Sequence, residues 1–143
     1  MIVGIDCDVD KNGVAVKEDG EYHLYSLSFW DLFEFLSQTR PKLVVIEGGW
    51  LNAKSNFRFA KSTSVASRMG KNVGENHAVG KKIVEMCEYL GLEHKVVKPL
   101  QKVWKGKDGK ITHEELNRVF KMNFKKTNQE QRDSFLLVFD FTK

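Results

Sequence analysis

The sequence predicts an α/β domain built on a mixed five-stranded sheet, three antiparallel strands followed by parallel ones, with helices on its flanks. Three observations predict it. Short runs of apolar and β-branched residues recur at Ile2–Asp6, Val14–Val16, Tyr22–Leu27, Leu43–Glu47 and His94–Val97. The first three follow one another closely, with the turn signal Asp19-Gly20 before the third, so they read as an antiparallel meander. Helical periodicity separates the later runs, and a strand–helix–strand order calls for parallel neighbours.

The elements follow in order. Ile2 to Asp6 is a buried strand that ends in an acid. Ser28 caps a helix, Asp31 suits its first turn, and Phe29, Leu32, Phe33 and Leu36 form its apolar stripe. Arg40-Pro41 stops it. Leu43 to Glu47 is a second buried strand ending in a carboxylate, broken by Gly48-Gly49. Residues 50–75 show no clear period, although part of them can be helical, and are too long for an ordinary connection, so they are expected to be functional. Val79, Ile83, Met86, Cys87 and Leu90 mark an amphipathic helix closed by Gly91. His94 to Val97 is a strand, and residues 100–111 form a loop. Thr112 with Glu115 is a capping box for a helix that packs Leu116, Val119 and Phe120. Asn128 opens the last helix, with Phe135, Leu136 and Phe139 available to the core.

With 143 residues the chain suits one domain, residues 1–143, able to bury a core without disulfides. Apolar residues at 41% and charged residues at 29% exclude disorder. No apolar run reaches the ~20 residues of a membrane span. Met1 to Asp6 has no signal-peptide character, which predicts a cytoplasmic protein. Cys7 and Cys87 lack metal-ligand spacing and read as small buried thiols.

Charge is unevenly spread. Residues 1–39 carry −6, residues 51–82 carry +6 and residues 95–110 carry +5. A basic middle beside an acidic start predicts a polyanionic partner and a separate carboxylate cluster. Within the basic middle, Trp50, Phe57 and Phe59 are interleaved with Lys54, Arg58 and Lys61, and Arg68 and Lys71 follow. Aromatics that stack on unpaired bases, beside cations that hold phosphates, suit branched or single-stranded DNA. Lys102 and Lys105 add cations in the second basic stretch.

Asp6 and Glu47 each end a buried strand, and ligands of open α/β sheets bind beyond such ends. Parallel first and fourth strands bring the two acids together. Glu130 and Asp133 lie one helical turn apart on one face. Four converging carboxylates repel one another unless a hard divalent cation holds them, which predicts a magnesium site, with two ions for phosphodiester chemistry. Asp8-x-Asp10-x-Asn12-Gly13 mimics a calcium loop, but it follows a strand where that motif needs a helix. Asp8 and Asp10 therefore read as turn acids near the site.

These residues carry a family likeness. Val3-Gly4-Ile5-Asp6, Val44-Val45-Ile46-Glu47 and Glu130-Gln131-Arg132-Asp133-Ser134-Phe135-Leu136-Leu137 stand in order along the chain, with Pro99, Trp104-Lys105 and a basic loop between the last two. The sequence resembles the RuvC-type Holliday-junction resolvases of the ribonuclease H-like superfamily over nearly its whole length. The resemblance implies a ribonuclease H-like sheet and an Mg²⁺-dependent endonuclease for four-way or related branched DNA. It implies Asp6, Glu47, Glu130 and Asp133 as catalytic metal ligands for two Mg²⁺ ions, with Mn²⁺ able to substitute, and a homodimer. Lys102 and Lys105 become candidates for neutralising charge at phosphorus. The family places a glycine within two residues of its first acid, whereas here Cys7-Asp8 follow and the next glycine is Gly13. Two rival readings are a non-catalytic branched-DNA-binding module and a related nuclease for RNA–DNA hybrids or structured RNA.

Overall fold

The structure is a computed structural model that describes residues 1–52 and 63–140; in its long second helix the side chains of residues 63–70 and 72 lie outside the description. The chain runs β1 (Ile2–Asp6), β2 (Asn12–Glu18), β3 (Glu21–Leu27), α1 (Phe29–Thr39), β4 (Leu43–Glu47), a 3-10 turn at Gly49–Leu51, α2 (Thr63–Leu90), β5 (His94–Val97), a 3-10 turn at Lys107–Gly109, α3 (His113–Val119) and α4 (Gln129–Val138). The sheet order is β3-β2-β1-β4-β5, antiparallel between β1, β2 and β3 and parallel from β1 through β4 to β5. This is the mixed sheet that the sequence predicts.

The period of two along each strand sorts residues between two cores. Val3, Ile5, Val14, Val16, Val44 and Ile46 point to one face and pack on Leu32 and Leu36 of α1 and on Ile83, Met86 and Cys87 of α2. Ile2, Ala15, Leu43 and Val45 point to the other face, against Leu116 of α3 and Phe135, Leu137 and Val138 of α4. Asp6 continues the Ile2–Gly4 row and Glu47 the Leu43–Val45 row. Both acids therefore belong to the face that α4 covers.

Helix α4 approaches the sheet backbone closely where that face carries glycine. A Cβ on Gly4 would stand 2.7 Å from the Ser134 carbonyl oxygen. A Cβ on Gly13 would run into the Glu130 carbonyl group and stand 2.8 Å from the Gln131 nitrogen. Gly13 pairs directly with Asp6 across the β1–β2 ladder. The second core is rich in rings: the buried Phe135 meets Tyr22, Phe120, Phe124 and Phe139 at centroid distances of 5.0, 5.2, 6.2 and 5.6 Å.

Two expectations need correction. Helix α2 spans 28 residues and begins at Thr63, well before the predicted start near Val79. Gly70, Gly74 and Gly80 dilute its period, because glycine is a poor helix former. Gly80 is buried beneath the Trp50 ring, so its cost in propensity is set against tertiary packing. Val119, expected in the core, is 45% exposed, since it stands at the end of α3 on its outer side. No helix among the described residues is long and apolar enough to cross a membrane.

Helix α3 ends with Lys121 in the left-handed region, φ 56°, while Met122 N–H donates to the Asn117 carbonyl at 3.0 Å. That position favours glycine. Lys121→Gly is expected to raise unfolding stability by about 0.5–1 kcal/mol, read from urea melts, because relief of the Cβ clash outweighs the added freedom of the unfolded chain.

Candidate active site

At the C-terminal ends of β1 and β4 lies an open cleft of about 220 Å³. Asp6, Glu47, Glu130 and Asp133 all line it, with Asp8, Asn76, Lys102, Trp104 and Lys110 around them. Parallel pairing brings Ile5 level with Ile46, so the next residues, Asp6 and Glu47, end their strands side by side. Glu130 and Asp133 come from the first turns of α4. Its start is fixed by a reciprocal cap: Asn128 Oδ1 accepts from Gln131 N at 2.8 Å and Gln131 Oε1 from Asn128 N at 2.9 Å. Asn128 Nδ2 also donates to Ser26 Oγ at 2.8 Å, which ties the helix start to β3.

The electrostatics are those of crowded, half-buried acids. Burial pushes the Asp6 carboxyl well above its ordinary range, and the charges of Glu47, Asp133 and Glu130 push it further, while Lys110 opposes them. Glu47 is raised by burial and by Asp133, against Lys102 and Lys110. Asp133 is raised by burial, against a hydrogen bond from Gln129 and the charges of Lys110, Lys102 and Arg132. Gln129 Nε2 holds Asp133 Oδ1 at 2.9 Å, and Gln129 Oε1 accepts from Arg132 Nη2 at 3.0 Å. The cleft thus has an acidic floor and two cations on its wall.

Cys87 is a buried thiol, as expected, whereas Cys7 is only partly buried and lines the cleft. Burial raises both, Cys87 to about 11. The Asp8–Asn12 segment is a turn, not a calcium loop. The buried Asn12 spends its side chain on the backbone, accepting from Asp8 N at 3.0 Å and donating to Leu27 O at 3.2 Å. Asp8 does both things foreseen for it, capping the turn through Asp10 N–H at 3.1 Å and facing the cleft.

The predicted nucleic-acid residues fall into groups. Lys54, Phe57, Arg58, Phe59 and Lys61 lie outside the described residues, as does the side chain of Arg68. Lys71 is exposed on α2, 4.0 Å from Glu75. Trp50 is half-buried, its ring against Gly80 and 6.2 Å from the His77 ring. Lys102 lines the cleft as expected. Lys105 does not line it, and its charge bears on Glu115 instead. The second lysine at the carboxylates is Lys110, which no sequence pattern singles out. Its place follows from how residues 102–112 fold back, and no local motif announces that.

Donor chemistry fits a hard divalent cation, since the four acids offer only carboxylate oxygens. Among the described residues no three His, Cys, Asp or Glu side chains stand close enough together to hold one ion as they are.

No protein-family model matches the chain, and no curated protein matches it in sequence. Solved structures do. Thermus thermophilus RuvC in complex with a Holliday junction substrate matches with a TM-score of 0.54 at 12% identity, over 95% of this chain and 88% of that one. A second Thermus thermophilus RuvC structure matches with a TM-score of 0.51 at 14% identity, over 95% and 89% of the two chains. The chain has a RuvC-type, ribonuclease H-like fold.

Proposed function

We propose that this chain is a metal-dependent, structure-selective endonuclease that cuts branched DNA, four-way junctions foremost. The carrying observation is the convergence of Asp6, Glu47, Glu130 and Asp133, from three separate segments, on one cleft walled by Lys102 and Lys110. Those four acids would hold two Mg²⁺ ions, or Mn²⁺ in their place. Bound there, the ions supply a more acidic water and offset charge on the leaving 3′-oxygen. The chain's own residues do the rest. Gln129 fixes one oxygen of Asp133, so that carboxylate is oriented in advance. Lys102 and Lys110 draw a phosphate to the acidic floor and offset the charge that builds on it. Their attraction also opposes the repulsion between the acids and a DNA backbone. A symmetric junction needs two cuts, so the proposal includes a homodimer acting in the cytoplasm.

The spread of the four acids supports a second reading, a branched-DNA-binding module without catalysis, because no three of them are gathered around one point among the described residues. One experiment decides between the two. Four-way, flap and RNA–DNA hybrid substrates are incubated with the protein in Mg²⁺ and in EDTA. The expected result is cleavage of the four-way junction in Mg²⁺ alone. Binding without cleavage supports the second reading, and preferential cleavage of the hybrid reassigns the substrate.

A further inference from the structure

The basic loop that carries Lys102 and Lys110 is closed on one buried carboxylate. Glu115 is 7% exposed. Its Oε1 and Oε2 accept the Lys105 backbone N–H at 3.1 and 3.2 Å. Its Oε1 also accepts the Thr112 N–H at 3.0 Å and the Thr112 hydroxyl at 3.1 Å. The two ends of the segment 105–112 are thereby tied to a single side chain of α3. Burial opposes the charge of Glu115, but the hydrogen bonds from Thr112 and Lys105 and the nearby Lys105 charge win, and its carboxyl sits below the ordinary range.

Between those ends the backbone is folded tightly. Trp104 N–H donates to Gly109 O at 2.9 Å, and Gly106 N–H to Lys110 O at 2.9 Å. Gly109, at φ 76°, packs against the Lys102 carbonyl, where a Cβ would collide. Arg132 Nε holds the Ile111 carbonyl at 2.9 Å from the far side. Residues 102–110 carry a net +3, so an unbound loop of this composition repels itself and spreads. A capping box needs only the Thr112 half of the Glu115 bonds. The Lys105 half serves the loop.

We propose that Glu115 is a positioning residue, which straps the loop 102–112 to α3 so that Lys102 and Lys110 face Asp6, Glu47 and Asp133 in readiness for a phosphate. The phosphate part rests on the nucleic-acid reading above; the strap does not.

The test uses Glu115→Gln, with Lys110→Ala and the double variant, all in EDTA. Glutamine keeps Oε1 and with it the capping box, so α3 persists, while the Lys105 N–H loses its second acceptor, Oε2, and the charge that strengthens the 3.1 Å contact to Oε1. Amide hydrogen exchange at Lys105 and through Gly106–Lys110 should speed up, with Thr112 largely protected. Four-way-junction binding should weaken, and its log–log salt slope should shrink by about 0.9 for each phosphate that the loop no longer neutralises. Loss of one negative charge beside a basic loop acts the other way on binding, so an unpositioned loop and a mere charge change give opposite signs. In the Lys110→Ala background, Glu115→Gln should cost less binding than it does in the wild type, because of the two lysines it positions only Lys102 is left. Tighter junction binding, or a full additive loss in the double variant, overturns the proposal. If the wild-type chain fails to bind the junction, the nucleic-acid reading falls by itself. The strap is then judged on exchange alone, and unchanged protection at Lys105 and Lys110 overturns it.

Discussion

Asp6→Asn is expected to lower four-way-junction cleavage by several orders of magnitude while junction binding in EDTA holds or tightens. Asparagine keeps the size and shape of the side chain and removes the charge. Asp6 ends the central strand β1, flanked by β2 and β4, so the backbone gives it little freedom to be replaced by a neighbour. A hard cation loses a charged oxygen at the point where water and leaving oxygen must both be positioned. A phosphate approaching the cleft meets one negative charge fewer, which favours binding.

The same variant should melt at a higher temperature than the wild type in EDTA at neutral pH. Burial, followed by Glu47, Asp133 and Glu130, raises the Asp6 carboxyl in the folded state. A raised carboxyl binds its proton more tightly folded than unfolded. Its stabilisation is present below the ordinary carboxylate range and is lost as pH rises through the raised value. At neutral pH the metal-free fold therefore bears the cost of that charge or of the proton that neutralises it, and asparagine removes both. Melting from pH 7 down to pH 4 should show the wild type gaining on the variant as Asp6 becomes protonated. Mg²⁺ should raise the wild-type Tm at pH 7 and the variant's much less, because an ion that binds only the folded state stabilises it by mass action. A structural role for Asp6 predicts the reverse: a lower Tm, with cleavage lost only in proportion to unfolding. Near-normal cleavage by Asp6→Asn would remove the nuclease proposal.

The acidic floor was legible because its geometry is local and periodic. An acid that closes an apolar strand lies on the face set by its second neighbour, so Ile2-Gly4-Asp6 and Leu43-Val45-Glu47 announce their side of the sheet. Glu130 and Asp133 are one helical turn apart behind a capping residue at Asn128. The basic wall was not legible. Lys110 lies in a loop that is held from outside by Glu115 and Arg132 and folded from within by Gly109 against the Lys102 carbonyl, and Lys105, the neighbour of Trp104, is held by its backbone instead. Helix α2 was obscured in part for a related reason: Gly80 answers to packing against Trp50 that local propensity does not register.

Gly13 belongs with the elements that sequence spacing obscured, and it carries the second large expected effect. Gly13 follows Asp6 by seven residues in sequence and is its partner across the β1–β2 ladder. Its missing side chain lets the Glu130 carbonyl and the Gln131 nitrogen settle onto β2. Gly13→Ala sets a methyl group against main chain on α4, which cannot swing aside as a side chain can. Overpacking of this kind costs typically 1–3 kcal/mol and more where backbone must move, so a loss of about 3 kcal/mol is expected. That corresponds to a fall in Tm of roughly 10 °C for a chain of this size. The larger consequence is functional. If α4 rises by even about 1 Å, Glu130 and Asp133 leave the level of Asp6 and Glu47, and a misplacement of that size costs about 10²-fold in rate. Cleavage measured well below the variant's Tm should therefore fall about 10²-fold, with junction binding falling much less, because Lys102 and Lys110 sit on a different element that meets α4 through the Arg132 and Gln129 bonds to Ile111. Gly74→Ala is the control. It lies in α2 with open space around its Cα, so alanine should add about 0.5–1 kcal/mol of helix stability and leave cleavage unchanged. Equal, small effects of the two alanines on Tm and cleavage would show that α4 owes its position over Asp6 to something other than the bare backbone at Gly13.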